Sequence, residues 1–115
     1  MALQSQEPLV IEETTGPQPD QRILTLHGPV VLTNLFQFQN AIRAKVSRVL
    51  VIDFTDVPYI DSAGIGALVG AHVSHDKDGS SLALVGVSER VRNALKVTRV
   101  DSFFRFFSSQ DEALR

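Results

Sequence analysis

The residues best suited to chemistry are a carboxylate, a hydroxyl and two glycines in close order, Asp61-Ser62-Ala63-Gly64-Ile65-Gly66. Behind them Ile65, Leu68, Val69 and His72 fall at i, i+3, i+4 and i+7, the period of a helix. The spacing therefore sets Ser62 at a helix entrance. A hydroxyl there can cap an orphan backbone N–H. It can also carry a phosphate, which would meet free N–H donors and the positive end of the helix dipole. Asp61 and Ser62 offer two competing caps where one suffices. The turn after them is small and apolar, a poor solvated face but a good contact surface.

Other chemistries fit less well. A serine nucleophile on a strained elbow wants G-x-S-x-G and an imidazole base, but Asp61 and Ala63 flank Ser62 and a carboxylate does not replace the imidazole. His72 and His75, three apart with Asp76 and Asp78 beyond, have a spacing that suits two metal ligands, yet the sequence shows no third or fourth. His72 also falls on the apolar stripe. Gly64-Ile65-Gly66 lacks the rest of a nucleotide-binding loop. Phe103-Phe104-Phe106-Phe107 has no basic groove beside it and reads as core, with any exposed remainder open to a protein contact.

The elements around this corner follow from pattern. Leu9-Val10-Ile11 starts a strand to Thr15, a loop dense in Gly and Pro follows, and Arg22–His27 makes a second strand that can form a hairpin with the first. Gly28-Pro29 ends it. Leu35, Phe38, Ile42 and Val46 predict a helix capped by Thr33 or Asn34. Val49-Leu50-Val51-Ile52 in Arg48–Asp53 is an unbroken apolar run, expected of a strand buried on both faces. The Ser62 helix stops at Asp76–Gly79, with Gly79 in the left-handed position. Leu82–Val87 is a further strand, and Ser88 opens a helix with Val91, Ala94 and Leu95 inward. Phe103–Phe107 is the last strand, and Ser109-Gln110-Asp111-Glu112 is a capping box for a terminal helix. This order predicts an α/β fold with a mixed, mostly parallel sheet of about four to five strands and about four helices. The crossover rule sets Ser62 at the carboxyl end of the central strand, where sites in open sheets form.

A chain of 115 residues reads as one domain, with residues 1–7 a loose start. A net charge of -2 argues against a nucleic-acid footprint. No apolar run approaches a membrane span, and the first residues lack the pattern of a signal peptide. The absence of cysteine fits a reducing compartment, so a cytoplasmic location is expected. No heptad pattern argues for assembly, and a monomer or weak dimer is expected.

Taken together, YIDSAGIGAL closely resembles the signature of the STAS domain, the sulphate transporter and anti-sigma factor antagonist domain, and in particular its stand-alone bacterial antagonists. Asp61, Ser62, Ala63, Gly64, Ile65 and Gly66 match that motif in order, and the resemblance runs from about Leu9 to Leu114. LTLHG and ALVGVSERVRNALKVTRVDSFFRFF match the flanking strands and helix. The resemblance implies a switch protein, not an enzyme, without cofactor. The bare form binds a serine-kinase anti-sigma factor and frees a sigma factor. The kinase then phosphorylates Ser62, and a metal-dependent phosphatase reverses the change. The implied partner surface is Asp56, Tyr59, Ile60, Asp61, Ser62, Gly64, Ile65 and Gly66. Two positions depart from the family: Pro29-Val30-Val31 follow Gly28 where many members carry Asp, and residue 63 is Ala where Ser or Thr is frequent. A non-switching scaffold subunit of a lipid-transport or stress-signalling complex is the alternative reading.

Overall fold

Five strands pair in the order in which they occur along the chain. The computed structural model describes residues 8–115, so the expected loose segment 1–7 lies outside the described residues. β1 (Val10–Thr15) and β2 (Gln21–His27) form the expected antiparallel hairpin, in register from Val10 opposite His27 to Thr15 opposite Arg22. β3 (Val49–Asp56), β4 (Ser81–Val85) and β5 (Arg105–Phe107) then add in parallel, one beside the last. Helices α1 (Leu35–Arg43), α2 (Ser62–Lys77) and α3 (Glu89–Val97) make the crossovers, and α4 (Gln110–Leu114) closes the described chain. Single 3-10 turns at Leu32–Asn34 and Asp101–Phe103 precede α1 and β5.

Side chains alternate between the two sheet faces. Leu24, Leu26, Leu50, Ile52, Leu82 and Leu84 meet Phe38, Ile42, Ile65, Leu68, Val91 and Leu95 of the three crossover helices. Each large apolar side chain so buried contributes on the order of 1.5–3 kcal/mol. The opposite face, Ile23, Val51, Ala83 and Val85, is covered by Ala113 and Leu114 of α4. Both faces of β3 are therefore closed, which is why its sequence does not alternate.

Four boundaries differ from the sequence reading. β4 spans Ser81–Val85 and not Leu82–Val87, the chain turning at Gly86 with φ 66°. α1 stops at Arg43, so Val46 lies beyond it and is fully exposed instead of extending the inner stripe. The cause is Arg22: its guanidinium donates to the carbonyls of Ala41 (2.7 Å), Ile42 (3.0 Å) and Lys45 (2.8 Å), taking up the last turn. β3 runs three residues past Asp53, whose buried carboxylate is satisfied by the Thr55 N–H, the Thr55 hydroxyl and Gln110 Nε2. The last strand shortens to three residues, and Phe103 sits in the preceding turn, stacked on His72 at 5.4 Å. Gly79 adopts the expected positive φ, 71°.

Candidate functional site

Asp61 builds the corner at the carboxyl end of β3. Its Oδ1 accepts from the Gly64 N–H at 2.9 Å, which makes it the N-cap of α2. Its Oδ2 accepts from the Leu32 N–H at 3.0 Å, across the gap to the loop before α1. The backbones of the two loops also join: Val30 N–H donates to Tyr59 O, and Asp61 N–H donates to Val30 O, both at 3.2 Å. Val30 and Ile60 thereby form a short parallel bridge beyond the sheet.

This close approach is possible only because residue 64 has no side chain. A Cβ there would lie 2.5 Å from Val30 O and 2.7 Å from Ile60 Cγ1. A Cβ on Gly66, two residues on, would meet nothing within 4 Å. The two glycines of one motif thus serve different ends. Gly64 lets the loops pack, whereas Gly66 leaves a bare, exposed patch on the helix surface.

With Asp61 holding the cap, the competition between two caps is settled. Ser62 is the first helical residue and is exposed. Its hydroxyl sits where the helix dipole is positive, on a 16-residue helix, and beside the Asp61 carboxylate.

The remaining sequence-selected residues separate by burial. Asp56, Tyr59, Ser62 and Gly66 are exposed, Asp61 is half-buried, and Ile60, Gly64 and Ile65 are buried. The buried three support the corner from beneath. Asp56 ends β3 and its Oδ2 lies 2.8 Å from His27 Nδ1, while His27 Nε2 lies 2.7 Å from Glu12 Oε1. The Glu12 hydrogen bond, with help from Asp56, holds the imidazole pKa above its ordinary value. Both ring nitrogens of His27 are engaged, so it offers no base to Ser62. His75 Nδ1 is bonded to Ala71 O at 2.9 Å, and His72 stacks on Phe103, so the two helix histidines have separate structural partners.

Two residues near the corner escape the sequence reading. Arg90, at the start of α3, lies over the Tyr59 ring at 5.1 Å. Phe36 is 75% exposed in the first turn of α1. It stands out of phase with Leu35, Phe38 and Ile42, and an aromatic off the inner stripe was the available signal.

Comparison with known proteins places this geometry. The STAS domain family model matches residues 9–113. The anti-sigma-B factor antagonist of Listeria monocytogenes is 34% identical over 70 residues, 61% of each chain. The chain thus matches about three fifths of the length of that curated relative. The crystal structure of an anti-sigma factor antagonist from Mycobacterium paratuberculosis superposes with a TM-score of 0.82 at 20% identity, covering 93% of this chain and 92% of that one. The Bacillus cell fate determinant SpoIIAA in its phosphorylated form gives 0.69 at 15% identity, covering 91% and 96%. Among the described residues no helix is long and apolar enough to cross a membrane. From the hairpin through the Asp61 corner to the terminal helix, the chain belongs to the STAS domain family.

Proposed function

We propose that this protein is an anti-sigma factor antagonist that acts in the cytoplasm as a switch, not an enzyme. In the bare form it binds a serine-kinase anti-sigma factor and so releases a sigma factor. The observation that carries this reading is the division of labour at the corner. Asp61 does the capping, which leaves the Ser62 hydroxyl exposed and free of a structural duty. The Listeria relative bears the antagonist name, and the Bacillus neighbour has been solved carrying a phosphate.

In the switch, Ser62 Oγ attacks the γ-phosphorus of ATP bound to the kinase. The hydroxyl proton leaves, the β–γ bridge breaks, and ADP departs. The product adds about 1.5–2 negative charges beside Asp61. The N-terminal dipole of α2 tolerates them within the free chain. At an interface, however, a desolvated and unpaired charge costs several kcal/mol. A loss of about 4 kcal/mol is roughly a thousandfold in affinity. No refolding is needed. A metal-dependent phosphatase restores the hydroxyl by hydrolysis.

The test is a pull-down of the anti-sigma factor kinase with and without ATP. Wild type should bind and then dissociate when ATP is added. Ser62→Ala should bind and stay bound, and Ser62→Asp should bind at least about a hundredfold more weakly. Wild-type behaviour of both variants would sink the proposal. A permanently bare Ser62 in native cells, with a transporter attached, would move the function to a non-switching scaffold.

A further inference from the structure

Charge is unevenly placed along the chain. From Glu89 to Arg105 there are five Lys or Arg residues and two carboxylates, whereas the rest of the sequence has six and eleven. All five cations, Arg90, Arg92, Lys96, Arg99 and Arg105, are exposed. Among the described residues the ion pairs are made by Arg22, His27, Lys45 and Arg48, so none of the five meets a carboxylate. Two of them are set on aromatic rings instead. The Arg92 guanidinium lies 3.8 Å from the centre of the Phe106 ring, and that of Arg105 lies 5.5 Å from the Phe107 ring. Such stacking holds a guanidinium in place and leaves its planar fork of donors for an anion.

These two arginines flank an open strand edge from opposite sides. β5 is the last strand of the sheet and pairs with β4 alone. Phe106 packs on the crossover-helix face and Phe107 on the α4 face, which Arg105 shares by alternation. The Gly86 N–H donates to Phe107 O at 3.0 Å, so the Phe107 backbone turns toward β4. The N–H and C=O of Phe106, one residue earlier, therefore turn outward, where the sheet has no further strand.

We infer that the β5 edge takes an extended acidic segment of a partner protein, added as a sixth strand. The segment's backbone pairs with the Phe106 N–H and C=O. Its neighbouring Asp or Glu side chains point to opposite faces and meet Arg92 on one and Arg105 on the other. An anionic membrane would match the charge but has no strand to match the Phe106 pair. The acidic edge strand of a second copy has its carboxylates engaged already, Glu12 by His27 and Glu13 by Arg22. The unpaired cations thus call for acids from another protein.

The test titrates the end-capped peptide Val-Thr-Glu-Glu-Thr-Val into the isotope-labelled full chain, followed by amide NMR. Binding should saturate at millimolar peptide, shift the Phe106 amide downfield and slow its exchange. Arg92→Glu and Arg105→Glu should each weaken binding at least about tenfold, as should Gln-Gln for Glu-Glu in the peptide. The melting temperature of Arg105→Glu should match wild type, because that side chain is exposed, so its loss of binding is not unfolding. Absence of saturation, equal binding of the Gln-Gln peptide, or shifts that leave Phe106 unmoved would overturn the inference. So would capture of wild type by phosphatidylserine vesicles, or self-association of wild type, that Arg105→Glu abolishes while the peptide binds neither chain.

Discussion

At one end of the parallel strands a guanidinium is buried with its bonds made; at the other a hydroxyl is exposed with its structural role taken by a neighbour. Arg22 is 6% exposed, yet it forks onto Glu13 at 2.9 and 3.1 Å and caps the last carbonyls of α1. Ser62 lies at the head of α2, where Asp61 has already satisfied the helix end. Of these two, the group that is fully engaged specifies the fold, and the one that the helix cap does not use is exposed and available for chemistry. The contrast teaches how to read a polar residue here: by whether the fold already uses its donors and acceptors, and not by its type.

The sharpest way to break that contrast is Arg22→Ala. The change removes the donors to three carbonyls and leaves Glu13 with Lys45 Nζ as its partner, at 3.3 Å. Losing a charge-assisted hydrogen bond costs about 1.5–3 kcal/mol, and three carbonyls lose theirs at once. Urea unfolding should show that loss, while the protein that remains folded should still be phosphorylated at Ser62. Glu13 should report the same change through pH. The Arg22 hydrogen bond holds its carboxyl below the usual 4.5. Its contribution is thus present above that value and lost as pH falls through the lower folded value. The acid limb of the stability curve should flatten in Arg22→Ala.

Gly64 and Gly66 sharpen the comparison within a single motif. Gly64→Ala drives a Cβ into Val30 O and the Ile60 side chain, and should cost about 1–3 kcal/mol. Gly66→Ala meets open space in a helix interior and should stabilise by about 0.4–1 kcal/mol. On the proposed antagonist reading it should nevertheless weaken the anti-sigma factor complex, because the added methyl would stand on the proposed contact face. Thermal melts and calorimetry on the two variants give opposite signs for stability. If Gly66→Ala also destabilises, the assignment of that glycine to contact alone is wrong.

The sequence disclosed more about some of these parts than others, and the reason is physical. The hairpin, the apolar β3 run and the α2 period all follow from local pattern, and the structure has them where they were expected. The cap competition between Asp61 and Ser62 was visible, but its outcome was not. It depends on Leu32 and Gly64, and Leu32 arrives from 29 residues away. The early end of α1 is likewise long-range, because Arg22 captures its carbonyls from another strand. The placement of Val46 on the inner stripe failed for that reason. Phe103 left the final strand to stack on His72, a contact that no period in the sequence encodes. Local order was legible, and long-range capture of a polar group was not.

The smallest expected effect lies at the Ser62 end, at the link between the hairpin and the last residue of β3. His27 on β2 stands between Glu12 on β1 and Asp56 on β3, with both nitrogens within 2.8 Å of a carboxylate. Only the imidazolium can donate from both nitrogens at once. The two carboxylates accordingly raise its pKa above 6.5 in the folded chain. A raised folded pKa gives stability that is complete below 6.5 and fades as pH rises through the folded value. The melting temperature of wild type should therefore decline from about pH 6 to about pH 8, and more in low salt because the group is exposed. His27→Gln should remove that slope and converge on wild type at the alkaline end. Asp56 leads directly into the loop that ends at Asp61, so the same titration should loosen the approach to Ser62. Hydrogen exchange at Tyr59 and Ile60 should rise beyond its intrinsic pH dependence in wild type alone, and equal excesses in His27→Gln would confine the pair to the hairpin edge.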